Sequence, residues 1–244
     1  MPEHQIIIEP SPKRIRAIAN GKTIADSLCA MLLLESDSFP VYYLPRDDVR
    51  MDLLERTNHR TTCPYKGDAS YFSLKAGNRR LDNAAWSYEQ PKEVAEKISG
   101  LIALDHDKMD HWFEEDEEVS GHPRDPHHRI DVRPSTRAVR VIFAGEEVAK
   151  TRRALFLFET GMPTRYYIPP EDVRSEFLAP TRTKTICPYK GEASYWSLHA
   201  RGQEAKDAVW AYLDPLPECP RIKGHFCFYP EKVERIDVEG ENSA

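Results

Sequence analysis

Apolar and polar positions alternate through Arg14–Ala19 and again through Lys22–Ser27, and Asn20-Gly21 stands between the two stretches. Both turn residues tolerate positive φ, so the pattern predicts a β-hairpin. Cys29–Glu35 and Val41–Leu44 follow as short apolar runs with strand composition. Pro45 then opens an acidic stretch, Asp47-Asp48, which suits a helix N-terminus and predicts a short helix over Arg46–Arg56, with Val49, Leu53 and Leu54 facing inward. From Ala69 the chain reads as a strand with Tyr71 and Ser73 on one face and Ser70, Phe72 and Leu74 on the other. Asn83–Tyr88 and Gly100–Leu104 are further strands, separated by one or two helical turns at Lys92–Lys97.

The same pattern then occurs again. Cys-Pro-Tyr-Lys-Gly-Asp-Ala-Ser-Tyr-Phe-Ser-Leu at 63–74 returns at 187–198, with Glu for Asp and Trp for Phe the only changes. The offset of 124 also pairs Arg16 with Arg140, Gly21 with Gly145, Tyr42-Tyr43 with Tyr166-Tyr167, Asp48-Val49-Arg50 with Asp172-Val173-Arg174, and Trp86 with Trp210. Roughly a third of the positions paired between 13–110 and 137–234 are identical, and no gap is needed. Two units of about a hundred residues are too long for solenoid repeats, and each is long enough to bury a core of its own. About six strands and one or two short helices per unit predict a mainly β protein, α+β only in a minor way: two homologous small antiparallel β-rich domains. The first repeat spans 11–110 and the second 135–238. Between them, 111–134 reads as an ordered connector, acidic at Glu114–Glu118 and rich in histidine at His122, His127 and His128.

Composition narrows the class. Charged residues make up 30% of the chain and the net charge is −6, which opposes extended nucleic-acid binding. The longest apolar run, Leu28 to Leu34, is far short of a membrane span. The N-terminus lacks the features of a signal peptide, and five widely spaced cysteines do not make a disulfide framework, so a cytoplasmic protein is expected.

Thr-x-Cys-Pro-Tyr-Lys-Gly-x-Ala-Ser-Tyr-aromatic, the preceding Tyr-aliphatic-Pro-x-x-Asp-Val and the following Ala-x-Trp-x-Tyr resemble the "domain of unknown function 427" family over nearly the whole chain. The connector Trp-Phe-Glu-Glu-Asp-Glu-Glu…His-Pro-Arg-Asp-Pro is similar to that of two-copy members. The resemblance implies small β-rich domains and carries a nucleotidyltransferase-like label. That chemistry uses two or three carboxylates to hold divalent metal on a triphosphate. The nearest candidate, Asp105-His106-Asp107, becomes Tyr229-Pro230-Glu231 in the second unit, and neither a Gly-Lys-Ser/Thr loop nor Gly-x-Gly-x-x-Gly occurs.

The candidate chemistry therefore centres on the repeated phrase. Lys66 and Lys190 precede a turn glycine and can present an ammonium to a carboxylate or phosphate. Arg50 and Arg174 are possible helpers, and Asp48 and Asp172 are possible ion-pair partners for the lysines. Cys63 and Cys187 are candidate nucleophiles or else small buried side chains beside a proline-fixed turn. Tyr43, Tyr65 and Trp86, with Tyr167, Tyr189 and Trp210, are candidate pocket walls or core residues. The His122, His127 and His128 stretch reads as a salt-linked turn in preference to a metal site, and no metal or cofactor is assigned. The leading expectation is a small anionic or nucleotide-like ligand near the two turns, with transferase or hydrolase chemistry. The alternative is a non-enzymatic scaffold or interaction module in which the phrase is structural. The sequence names neither a cofactor nor an oligomeric state.

Overall fold

A computed structural model of the chain describes residues 4–241. The chain divides into two units, Met1–Asp125 and Pro126–Ala244. In the first unit the strands are β1 (Ile6–Pro10), β2 (Ile15–Ala19), β3 (Lys22–Ser27), β4 (Met31–Glu35), β5 (Val41–Leu44), β6 (Leu54–Cys63), β7 (Gly67–Ala76), β8 (Arg79–Ser87), β9 (Ile102–Leu104), β10 (His111–Glu114) and β11 (Glu117–Val119). They form a seven-stranded sheet in the order β1-β4-β5-β9-β8-β7-β6 and a four-stranded sheet in the order β11-β10-β2-β3. Every pairing is antiparallel.

Alternation assigns the faces. Ile15, Ala17 and Ala19 of β2 meet Leu32 and Leu34 of β4, Phe72 and Leu74 of β7, and Trp112 of β10 in the core between the sheets. The intervening residues of the large sheet, Leu33, Tyr43, Ala69 and Ala103, point the other way and form a second apolar layer with Ile8, Tyr88, Ala95 and Ile98. The large sheet is thus buried on both faces except at its β6 edge. Its outer face is where the repeated phrase lies.

The second unit repeats this plan. Its strands are β12 (Ile130–Pro134), β13 (Val139–Phe143), β14 (Glu146–Thr151), β15 (Leu155–Glu159), β16 (Arg165–Tyr167), β17 (Leu178–Cys187), β18 (Gly191–Ala200), β19 (Gln203–Tyr212), β20 (Cys227–Phe228) and β21 (Arg235–Val238). The runs β12-β15-β16 and β17-β18-β19-β20 are joined through Ile168 and Phe226, which exchange backbone hydrogen bonds of 2.7 and 2.9 Å. That bridge is the counterpart of Leu44 opposite Ile102 in the first unit. Stretch 111–134 contributes β10 and β11 to the first unit and β12 to the second; β10 pairs β2, as β21 pairs β13.

The Asn20-Gly21 hairpin stands as the pattern predicts, with φ of 48° and 69°. The helix expected over Arg46–Arg56 does not form. Two 3-10 turns, Arg46–Asp48 and Met51–Leu53, take its place, followed by β6. The backbone there bonds sideways: Val49 bridges Ala25, and the Arg50 N–H donates to the Ile24 carbonyl at 2.8 Å. The Lys92–Lys97 turns are 3-10 over Glu93–Ile98. The estimate of six strands per unit is too low, because β6 and β10 lack the alternation that marks half-buried strands. β6 is an edge strand with nearly every residue exposed or half-buried.

Candidate functional site

Cys63-Pro64-Tyr65-Lys66-Gly67 is the turn that reverses β6 into β7, closed by Cys63 opposite Gly67. Gly67 adopts φ +94° and Gly191 +98°, conformations that L side chains rarely adopt. The turn is tied down by its neighbours. The Lys92 N–H donates to the Lys66 carbonyl at 3.1 Å, and Leu216 does the same for Lys190 at 3.1 Å. The Lys66 N–H also points at Cys63 Sγ, 3.4 Å away.

The lysine side chain turns inward over the outer face of the large sheet. Lys66 is only 8% exposed, and its ammonium pairs with Glu35 Oε2 at the end of β4. The other oxygen of Glu35 meets His4 Nε2 at 3.1 Å. The His4 ring lies flat on Tyr65, with centroids 3.7 Å apart and planes 9° from parallel. The second unit builds the same four-residue group. Lys190, 7% exposed, reaches Glu159 Oε1 at 2.6 Å; His128 Nε2 reaches the same oxygen at 2.9 Å; and the His128 ring stacks on Tyr189 at 4.2 Å. Burial alone would raise the Glu159 pKa, but the hydrogen bonds and charges of Lys190 and His128 outweigh it and hold the carboxyl below its ordinary value.

Beside this group lie the aromatic residues of the outer face. Trp86 Nε1–H donates to the Tyr43 hydroxyl at 3.0 Å, and Trp210 Nε1–H to that of Tyr167 at 3.3 Å, each pair meeting edge to face at 6.4 Å. Tyr71 and Tyr195 complete the row, their hydroxyls in contact with Thr61 and Thr185 at 2.9 and 2.7 Å.

Of the residues singled out from sequence, Lys66, Cys63, Tyr65, Tyr43 and Trp86 thus gather on one sheet face, as do their counterparts Lys190, Cys187, Tyr189, Tyr167 and Trp210. Asp48 and Asp172 go elsewhere. They accept from Ser27 Oγ at 2.7 Å and Thr151 Oγ1 at 2.6 Å, fixing the 3-10 turn to the end of β3 or β14. Arg153 also pairs with Asp172 at 2.8 Å. Arg50 forks onto Asp52 at 2.6–2.7 Å in solvent, and Arg174 Nε donates to Glu176 Oε1 at 2.8 Å. The lysines' carboxylate partners are therefore Glu35 and Glu159; neither these nor His4 stand out from local pattern, and His128 stands out only as one of a histidine-rich stretch. Their signal was the 124-residue offset itself, which pairs Glu35 with Glu159 and His4 with His128.

The histidine-rich stretch separates. His128 joins Glu159, whereas His122 stacks on Phe39 at 4.1 Å. Among the described residues, no group of three or more His, Cys, Asp or Glu side chains comes together in a way that could hold a metal ion.

The duplication is found again in a family comparison. The family model described as "Domain of unknown function (DUF427)" matches residues 7–115 and again 131–239. The chain belongs to the DUF427 family, in two tandem copies. No curated protein matches the chain. Both DUF427 matches contain the Lys–Glu pair and the turn tyrosine, while His4 and His128 each stand three residues ahead of a match; the first match ends within β10–β11, as the second ends just past β21. No helix is long and apolar enough to cross a membrane among the described residues.

Proposed function

We propose that the Cys-Pro-Tyr-Lys-Gly turns are structural clasps and that the protein is a non-enzymatic scaffold or interaction module built from two of them. The observation that carries this reading is the engagement of each lysine ammonium: it is buried and already bonded to a glutamate, in both copies. The clasp joins the β6–β7 turn to the end of β4, two strands from opposite halves of the large sheet. A small anion or nucleotide-like ligand at Lys66 would have to compete with a carboxylate at bonding distance, and transferase or hydrolase chemistry there would need Glu35 displaced first.

The test replaces the pair by an apolar one. Lys66→Met with Glu35→Leu removes the charge while keeping volume, and buried ion pairs replaced in this way are often neutral or stabilising. The double variant is expected to keep the fold and to leave calorimetric titrations with inorganic phosphate and ATP unchanged from the parent. Loss of a measurable phosphate or ATP affinity in the variant would overturn the clasp reading and restore the ligand reading. All five cysteines are free thiols, which supports a reducing compartment and so a cytoplasmic location.

A further inference from the structure

The two copies share a backbone but differ in what lies on the tryptophan. In the second unit the chain leaves β20 at Tyr229, whose N–H donates to the Ala208 carbonyl at 3.0 Å. In the first it leaves β9 at Asp105, whose N–H donates to the Ala84 carbonyl, the equivalent acceptor, at 2.8 Å. The turns that follow also match. Lys232 Nζ donates to the carbonyls of Lys206 and Asp207, as Lys108 Nζ does to those of Asp82 and Asn83.

On this common frame the side chains diverge. The Tyr229 ring lies on Trp210, centroids 4.3 Å apart and planes 41° apart, and burial, with Tyr195 as a polar neighbour, holds its phenol above the ordinary pKa. The Arg165 guanidinium lies 5.6 Å from the Trp210 ring centroid. Covered in this way, Trp210 and Tyr195 are each 7% exposed. In the first unit Asp105 stands where Tyr229 would be, and its carboxylate pairs with Lys108 at 3.0 Å. Val41 replaces Arg165. Trp86 and Tyr71 both remain partly exposed, with the exposed His59 ring set edgewise on Tyr71 at 4.5 Å.

We propose that the first unit binds a small phenol on Trp86, in the position that the second unit fills with its own Tyr229. The occupied copy supplies the template. An aromatic ring rests against the indole, with a tyrosine bonded to its neighbouring threonine as the polar neighbour of the hydroxyl, Tyr195 with Thr185 in the filled copy and Tyr71 with Thr61 in the open one. His59, replaced by Thr183 in the second unit, edges the open site and offers a further hydrogen-bonding group. The site goes beyond the clasp reading and does not depend on it, because it is argued from Trp86, Tyr71 and Asp105, none of which belongs to the clasp.

The probe is p-cresol, the tyrosine side chain as a free molecule, titrated into the full-length protein while the four tryptophan indole N–H signals are followed by NMR. The Trp86 signal is expected to move with saturation on the order of millimolar, the range open to so small a ligand, and the Trp210 signal is expected to stay. Asp105→Tyr, which copies the second unit, is expected to abolish the Trp86 response; Tyr229→Ala is expected to make Trp210 respond. On the unaltered protein, 4-methylcyclohexanol, which lacks the aromatic ring, is expected to leave Trp86 unmoved. The proposal is overturned if Trp86 ignores p-cresol up to its solubility limit. It is also overturned if Trp86 responds equally to the saturated alcohol, or if the response survives in folded Asp105→Tyr protein.

Discussion

Lys66 and Glu35 are 31 residues apart in the chain and form one buried ion pair on the outer face of the large sheet; Lys190 and Glu159 repeat it at the same separation. Burying a charge is costly unless it is paired and hydrogen-bonded. Here the carboxylate also meets a histidine, and that histidine is held by a tyrosine of the same turn as the lysine. The group is therefore closed on itself, and that closure leads to the following expectations.

Acid should loosen the second clasp. Glu159 titrates below its ordinary range in the folded protein. A carboxyl depressed by folding contributes stability that is fully present above its unfolded pKa, roughly 4.3, and is lost as pH falls through the lower folded value. Glu159→Gln should therefore be less stable than the parent at pH 7, and the difference should shrink as the pH drops below about 4. Urea unfolding at pH 7 and pH 3.5, with hydrogen exchange followed in β18, measures both gaps; a gap that stays constant with pH would contradict the ion-pair account.

The turn glycine should resist substitution. At φ +94° Gly67 sits where a Cβ is strained by about 1–2 kcal/mol, so Gly67→Ala should lower stability by that order. The nearest atoms to an added Cβ are Gln90 O at 3.6 Å and Lys92 N at 3.7 Å, ordinary contacts, so the loss should come from backbone strain and not from collision. Gly67→Asn, which tolerates the left-handed region better, should lose less. Comparing the two variants by thermal unfolding separates strain from collision.

The thiols should react in an order set by burial. Cys29 is exposed, whereas Cys219 and Cys227 are 2% and 1% exposed, and burial pushes their thiols up to about 11 and about 12. In native protein at pH 7.5, iodoacetamide followed by peptide mass spectrometry should label Cys29 first and leave Cys219 and Cys227 until unfolding. Cys63 and Cys187 are half-buried and should fall between. Labelling of Cys63 or Cys187 faster than Cys29 would point instead to activated nucleophiles.

The sequence carried the architecture more fully than the site. The 124-residue repeat and the Asn20-Gly21 hairpin are readable because both depend on local identity: a repeated phrase, and two residues that accept positive φ. β6 was not readable, since an edge strand with both faces toward solvent carries no alternation, and its bulge between Arg56 and Arg60 interrupts the register. The apparent helix at Arg46–Arg56 shows a local acidic signal overridden by the bridge between Val49 and Ala25. Lys66 stood out beside its glycine, but its partner did not. Glu35 ends an apolar strand, and only alternation along β4, which puts Leu33 and Glu35 on the outer face, places it under the lysine. His4 lies upstream of the stretch where the repeat is dense, yet its identity with His128 is the trace that leads to it.

A double-mutant cycle on Lys66 and Glu35 tests the clasp most directly. Urea unfolding of the parent, Lys66→Met, Glu35→Leu and the double variant gives the coupling between the two side chains. The clasp predicts a loss of about 3–5 kcal/mol for Lys66→Met, which strands a buried carboxylate, and recovery of most of it in the double variant, with a coupling of at least about 2 kcal/mol. Coupling near zero, with Lys66→Met as stable as the parent, would show that the lysine is held for something other than the fold.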